Sequence, residues 1–196
     1  MYRFDDRSLE RLRTILAKRA AIEIDAPQFR RACVLVPLVR DGDQWALLFS
    51  RRSANLAAHS GQIAFPGGAV EAGETLDAAA VREAEEEVGI HAGAVELIGR
   101  LDDVVTNSGF LVAPFIGVIR EKIDYVIQES EVTEVFEVPV DALLELSQPE
   151  VRYVRFRERD YPAYFYHYRE YEIWGLTARM LKAFLDLVWE TLGSGL

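Results

Sequence analysis

Glu83, Glu86 and Glu87 recur three and four residues apart in a run, ETLDAAAVREAEEEVG, whose alanines and lack of proline read as a helix. At about 100° per residue, placing Glu83 at zero puts Glu87 near 40° and Glu86 near −60°, so the three carboxylates share one arc. Glu85 falls on the opposite side and reads as solvated. Like charges at these spacings repel by about a few tenths of a kcal/mol per pair in water, and by more where solvent is thin. A solvated acidic face ordinarily interleaves Lys or Arg, whereas here Arg82 alone stands against Asp77, Glu83, Glu85, Glu86 and Glu87. Hard oxygen donors beside a free glycine carbonyl suit Mg²⁺ or Mn²⁺, which keep several waters and take up substrate phosphates. The pattern reads as a platform for divalent cations.

The elements that must hold this platform are marked by their ends. Gly67-Gly68 and Gly73 lead into the helix, Thr75 is placed to cap it with Asp77 in the first turn, and Gly89 suits its left-handed end. Val81, Ala84 and Val88 form the seam that packs on a sheet, and Ala79, Ala80 and Ala84 permit close approach. Upstream, residues 8–20 read as an amphipathic helix with Ser8 as its cap. Residues 31–40 and 44–51 read as a hairpin through Asp41-Gly42-Asp43, and residues 63–65 run into a tight Pro66-Gly67-Gly68 feature. Residues 95–105, 110–119 and 132–138 read as strands, and 140–146 as a short helix. Residues 151–158 and 163–168 read as a second hairpin around Asp160-Tyr161-Pro162, and 175–192 as a closing helix. The expected class is α+β, a mixed sheet flanked by helices, with residues 1–29 a helical extension and 30–196 the main domain.

Composition narrows the function. The 196 residues carry a formal charge of −10, from 22 Lys plus Arg against 32 Asp plus Glu, with a pI near 4.9. One such domain needs no staples, and the lone Cys33, inside an apolar run, excludes a disulfide scaffold and reads as an inert core residue. No stretch approaches the roughly 18 apolar residues of a membrane span, and the charged N-terminus has no signal-peptide core, so a soluble protein in a reducing cytoplasm is expected. An acidic chain lacks the basic footprint of a nucleic-acid binder. An anionic substrate would need positive charge from elsewhere, and bound cations supply it.

Gly68, Glu74 and the run Arg82-Glu83-Ala84-Glu85-Glu86-Glu87-Val88-Gly89-Ile90 stand at the spacing of the 23-residue signature of the Nudix hydrolases, which the segment resembles at every charged and glycine position. Ala84 stands where a bulkier aliphatic is usual, away from the acidic positions. The resemblance implies an α/β/α sandwich with a mixed sheet, and a hydrolase of nucleoside diphosphates linked to another group. It implies that Glu83, Glu86 and Glu87 bind Mg²⁺ or Mn²⁺ with the Gly68 carbonyl, while Glu74 and Arg82 brace loop and helix. Water attacking phosphorus must lose a proton. Glu83 is one acceptor; Glu131 and Glu134, in ESEVTEVFEVP, are the favoured ones from a later loop, with ordinary surface charge as their plain reading.

The segment LLFSRRSANLAAHSGQIAFPGG, residues 47–68, is similar to the motif that precedes the signature in the coenzyme A pyrophosphatase branch. Leu47, Leu48, Arg52, Ser53, His59, Gly61, Gln62, Phe65, Pro66, Gly67 and Gly68 carry the likeness. Phe49 replaces the usual threonine, and Ala57 a usual basic residue, which weakens the grip expected on a coenzyme A phosphate. Residues 99–114 and 173–181 also look like this branch, so the resemblance spans about residues 31–187. It implies coenzyme A, or an acyl or oxidised form, as substrate, yielding 3′,5′-ADP and 4′-phosphopantetheine. Arg51, Arg52 and His59 are then placed to contact phosphates; the plain reading is that the arginines close a strand and the histidine shapes a turn. Arg155, Arg157 and Arg159 alternate along one expected strand and read as edge charges. The aromatics of residues 161–174 read as hairpin packing, and a homodimer is an open possibility. Rival readings are a Nudix hydrolase of ADP-ribose, a dinucleotide or a nucleoside triphosphate, an RNA decapping enzyme, and a non-catalytic nucleotide-binding module.

Overall fold

The computed structural model describes residues 2–54, 60–156 and 159–193. Helix α1 spans Asp6–Lys18, and β1 (Arg30–Asp41) and β2 (Gln44–Arg52) form the expected hairpin, with Asp41 opposite Gln44. Short strands β3 (Ile63–Ala64) and β4 (Gly67–Ala69) lead into α2 (Leu76–Val88). Then come β5 (Glu96–Arg100), β6 (Val104–Val105), β7 (Phe110–Ile119), β8 (Val132–Pro139) and α3 (Val140–Glu145). The chain ends in β9 (Glu150–Phe156), β10 (Arg159–Tyr168), β11 (Tyr171–Trp174) and α4 (Gly175–Gly193).

The main sheet runs β3-β2-β1-β7-β5, with β4 beside β1, β6 beside β7 and β8 beside β2. β1 and β7 are parallel and the other pairs antiparallel, so the sheet is mixed, and the molecule is the α+β sandwich that the sequence predicts. β1 is apolar and buried from Ala32 to Val39 because both its faces are covered there, and side chains alternate across a strand. Cys33 and Leu35 pack with Ala79, Ala80, Ala84 and Val88 of α2, while Val34, Val36 and Leu38 face the core shared with α1 and α4. The alanine seam of α2 therefore seats that helix close against the centre of the sheet. Among the described residues, no helix is long and apolar enough to cross a membrane.

The N-terminal helix is part of this core: Leu9, Leu12 and Leu16 are buried in the same cluster as Phe184 and Val188. Its cap is Asp5 rather than Ser8, whose amide donates to the Asp5 carboxylate at 2.9 Å. Beyond it, the chain is fastened to the β5–β6 loop. The Ile22 amide donates to Asp102 at 2.7 Å and the Ile24 amide to Asp103 at 3.1 Å. The Asp103 side chain is fully buried between Arg100 and Arg31, the latter at 3.4 Å. Asp103→Ala removes the buried carboxylate that joins Arg100, Arg31 and the Ile24 amide and is expected to cost about 3 kcal/mol, read as a lower urea midpoint at constant slope.

The second hairpin departs from expectation. Arg159 pairs with Phe156, and Asp160, Tyr161 and Pro162, expected at the turn, lie inside β10 opposite Arg155, Val154 and Tyr153. Pro162 fits there because β11 pairs only with Phe165–Tyr168, so one side of β10 is unpaired at the proline. Arg155 and Arg159 are thus on different strands, and Arg157 lies outside the described residues. The aromatic stretch turns again at Arg169, a non-glycine at φ 52°, to make an unexpected third strand. This sheet lays Tyr166 and Ile173 onto the α4 side of the core.

Candidate active site

The platform is built from two pieces of backbone held against β1. Residues 67–69 form β4, with Gly67 opposite Val34 and Gly68 opposite Cys33, and the Leu35 amide donates to the Pro66 carbonyl at 2.9 Å. At Gly67 a Cβ would lie 2.3 Å from the Cys33 carbonyl, so only glycine lets the loop approach β1 this closely. α2 follows from the Thr75 cap position and ends at Gly89, φ 75°, with Gly89 N–H bonded to the Glu85 carbonyl and Ile90 N–H to that of Ala84. Amides of Val126 and Gln128 take the carbonyls of Val88 and Glu87, which lays the loop before β8 along the end of α2.

Arg82 organises the helix surface. It binds Glu74 through two bonds of 2.9 and 3.1 Å, Glu83 at 3.0 Å, Glu86 at 2.9 Å and the Ala69 carbonyl at 3.2 Å. The guanidinium fork thereby ties loop to helix, the bracing that the resemblance implies for Glu74 and Arg82. Glu85 lies apart, paired with His91 at 2.9 Å.

Glu83, Glu86 and Glu87 share the predicted side of α2 but differ in environment. Glu86 is turned out to Arg82. Glu83 lies over Gly68, where a Cβ would come within 2.4 Å of its carboxylate. Glu87 is 3% exposed, accepts from the Gly67 amide at 3.2 Å and faces Arg52 at 3.6 Å. Burial pushes the Glu87 carboxyl up to about 7; the Gly67 amide and Arg52 oppose the rise, and the charges of Glu83 and Glu131 add to it. Burial also raises Glu83, against the pull of Arg82. Among the described residues, no three acidic, His or Cys side chains already converge as a metal cage. What the site offers is a buried carboxylate short of positive charge, a second carboxylate lying over a glycine peptide, and oxygen donors throughout. That donor set fits Mg²⁺ or Mn²⁺.

The two candidates from the later loop separate. The Glu131 carbonyl accepts from the Ser53 amide at 2.7 Å, and its charge is felt by Glu83 and Glu87. Glu134 lies elsewhere, bonded to Arg51 at 2.9 Å and to the Tyr171 hydroxyl at 2.6 Å, and these partners hold it below the usual carboxylate range. Arg51 and Arg52 separate in the same way, because adjacent residues of a strand face opposite sides. Arg52 faces α2 and Glu87, whereas Arg51 lies over the Tyr171 ring, 5.4 Å from its centroid, on the α4 side. Of this pair, Arg52 stands beside Glu87, and Arg51 is paired with Glu134. Strand alternation was the signal for that split; nothing local marked Tyr171. His59 and Ala57 lie outside the described residues. Cys33 is buried with its Sγ 3.7 Å from the Gly68 carbonyl and its thiol pushed up to about 12 by burial, so it is inert.

Residues 29–166 match the family model described as the NUDIX domain. The chain is 40% identical over 165 residues to the uncharacterized Nudix hydrolase NudL of Enterobacter sp. (strain 638), covering 84% of this chain and 85% of the relative. It is 43% identical over 154 residues to the protein of the same name in Klebsiella pneumoniae (strain 342), covering 78% and 80%. The crystal structure of a MutT/nudix family protein from Enterococcus faecalis superposes with a TM-score of 0.54 at 17% identity, covering 94% of this chain and 74% of that one. That likeness bears on the fold alone.

Proposed function

Because the chain belongs to the NUDIX family, we propose that it hydrolyses the diphosphate bridge of coenzyme A to 3′,5′-ADP and 4′-phosphopantetheine in a divalent-metal-dependent reaction. The observation that carries the reading is Glu87: a carboxylate this deeply buried, with acidic neighbours and one arginine at ion-pair distance, is placed to receive a cation. Glu83, Glu86, Glu87 and the Gly68 carbonyl would hold Mg²⁺ or Mn²⁺. Bound there, the metal supplies positive charge to the diphosphate and its leaving oxygen. Glu131 takes the proton of the attacking water, with Glu83 as the alternative base. The water oxygen ends on one phosphorus, the bridging oxygen leaves with the other phosphate, and Arg52 grips the substrate's phosphates. The net charge of −10 makes that local positive charge necessary for an anionic substrate.

Coenzyme A is favoured over other diphosphates by the segment at residues 47–68, whose likeness to the coenzyme A pyrophosphatase motif includes Arg52. A panel of coenzyme A, acetyl-coenzyme A, ADP-ribose and NADH with Mg²⁺ or Mn²⁺, its products read by chromatography, tests this. Coenzyme A or its acyl form is expected to show kcat/KM at least about tenfold above the others, and a chelator to remove turnover. A preference for ADP-ribose would withdraw the coenzyme A assignment and leave family membership standing.

A further inference from the structure

We propose that Arg52 is an exchangeable counterion: it neutralises Glu87 before metal binds, then yields that carboxylate to the cation and turns to the substrate's phosphate. This rests on the metal-dependent reading above and adds to it a coupling between metal loading and phosphate capture through one side chain.

The geometry separates Arg52 from the other arginine of the site. Arg82 is held by bonds of 2.9–3.2 Å to Glu74, Glu83, Glu86 and the Ala69 carbonyl, which leaves it a fixed brace. Arg52 meets Glu87 only at 3.6 Å, an ion-pair distance too long for the fork that arginine makes with a carboxylate at its best. Among the described residues, its Nε is buried without a hydrogen-bond partner. The root of the side chain is nonetheless fixed, since the Arg52 amide donates to the Gln62 carbonyl at 3.0 Å and its own carbonyl accepts from Gly61 at 3.1 Å. A β-bulge between the Arg51 and Arg52 pairings with β8 sets the end of the strand. A fixed backbone with an underused guanidinium, aimed at the most buried carboxylate of the site, can change partners by side-chain rotation alone. Arg52 and a divalent cation seek the same oxygens and repel each other, so the carboxylate serves one of them at a time.

The test compares Arg52→Gln and Arg52→Lys with the parent in two measurements. The first is Mn²⁺ affinity of the substrate-free protein, followed by electron paramagnetic resonance at about pH 8.5. The second is KM for the hydrolysed diphosphate. Arg52→Gln is expected to bind Mn²⁺ roughly three- to tenfold more tightly, since the competing charge is gone, while its KM rises about tenfold or more. Arg52→Lys keeps the charge and is expected to hold Mn²⁺ affinity near that of the parent while still raising KM, because an ammonium cannot form the fork. Opposite signs in the glutamine variant are what a merely structural role would not produce. Unchanged or weaker Mn²⁺ binding in Arg52→Gln, in a variant whose circular dichroism matches the parent, overturns the exchange. The metal measurement needs no substrate, so a wrong substrate assignment leaves it readable.

Discussion

Glu87→Gln is expected to lower kcat about a thousandfold or more, roughly 4 kcal/mol of barrier, while making the metal-free protein more stable above neutral pH. Both effects come from the same burial. The folded Glu87 carboxyl is pushed up to about 7, above its ordinary 4.5, so between those values the native state holds a proton that the unfolded chain has released. The sign follows: this group's contribution to stability is full below about pH 4.5 and is lost as pH rises through about 7. Above that, the folded protein carries a buried charge offset by the Gly67 amide and by Arg52 at 3.6 Å. Glutamine keeps the shape and the bond from the Gly67 amide without the charge. At pH 8 the variant should gain about 1–3 kcal/mol, or roughly 3–8 °C in Tm for a chain of this size, and lose the difference near pH 4.5. Added Mg²⁺ should raise the Tm of the parent and leave that of the variant unmoved. Melting curves at the two pH values, with and without Mg²⁺, decide the stability half, and turnover at the parent's rate would remove Glu87 from the site.

The parts of this arrangement that sequence disclosed are those set by local period. An arc of carboxylates follows from 100° per residue, the end of α2 from Gly89, and the first hairpin from Asp41-Gly42-Asp43 with apolar runs on either side. What stayed hidden depends on register between distant strands. Glu131 and Glu134 are three residues apart and chemically alike, yet β8 pairs Glu134 with Arg51 and then slips a residue at Thr133 before Val132 meets Arg52. The slip separates an acid whose charge reaches Glu83 and Glu87 from one tied to Tyr171. The Tyr171 ring stacks on Phe136 at 3.6 Å, and the series continues through Phe49 to Phe65, which precedes the Pro66-Gly67-Gly68 turn. The small C-terminal sheet thus supports the Pro66-Gly67-Gly68 turn, through a series of contacts between residues far apart in sequence that no local pattern announces. Pro162 lies inside β10 rather than at a turn for a related reason: proline signals a turn by type, and only the absence of a β11 partner opposite it lets a strand continue through.

Adjacent glycines should give the sharpest division between fold and chemistry. Neither Gly67 nor Gly68 has a positive φ, so alanine is acceptable to the backbone at both, and the outcome depends on what the new methyl group meets. At position 67 it would lie 2.3 Å from the Cys33 carbonyl and 2.8 Å from the Val34 Cα. Both belong to β1, which is pinned along its length by β7 and cannot retreat. Gly67→Ala is therefore expected to cost about 3 kcal/mol or more, with poor recovery of folded protein. At position 68 the methyl group would lie 2.4–2.5 Å from the carboxylate atoms of Glu83, the far end of a flexible side chain. That carboxylate can swing away at little expense, so Gly68→Ala should unfold within about 1 kcal/mol of the parent. Its activity should nevertheless fall about a hundredfold or more, because Glu83 no longer lies over the glycine peptide and a displacement of about 1 Å is enough to disarm such a site. Urea unfolding and kcat/KM measured on both variants check the division. Parent-like activity in Gly68→Ala would show that Glu83 need not sit where the structure places it.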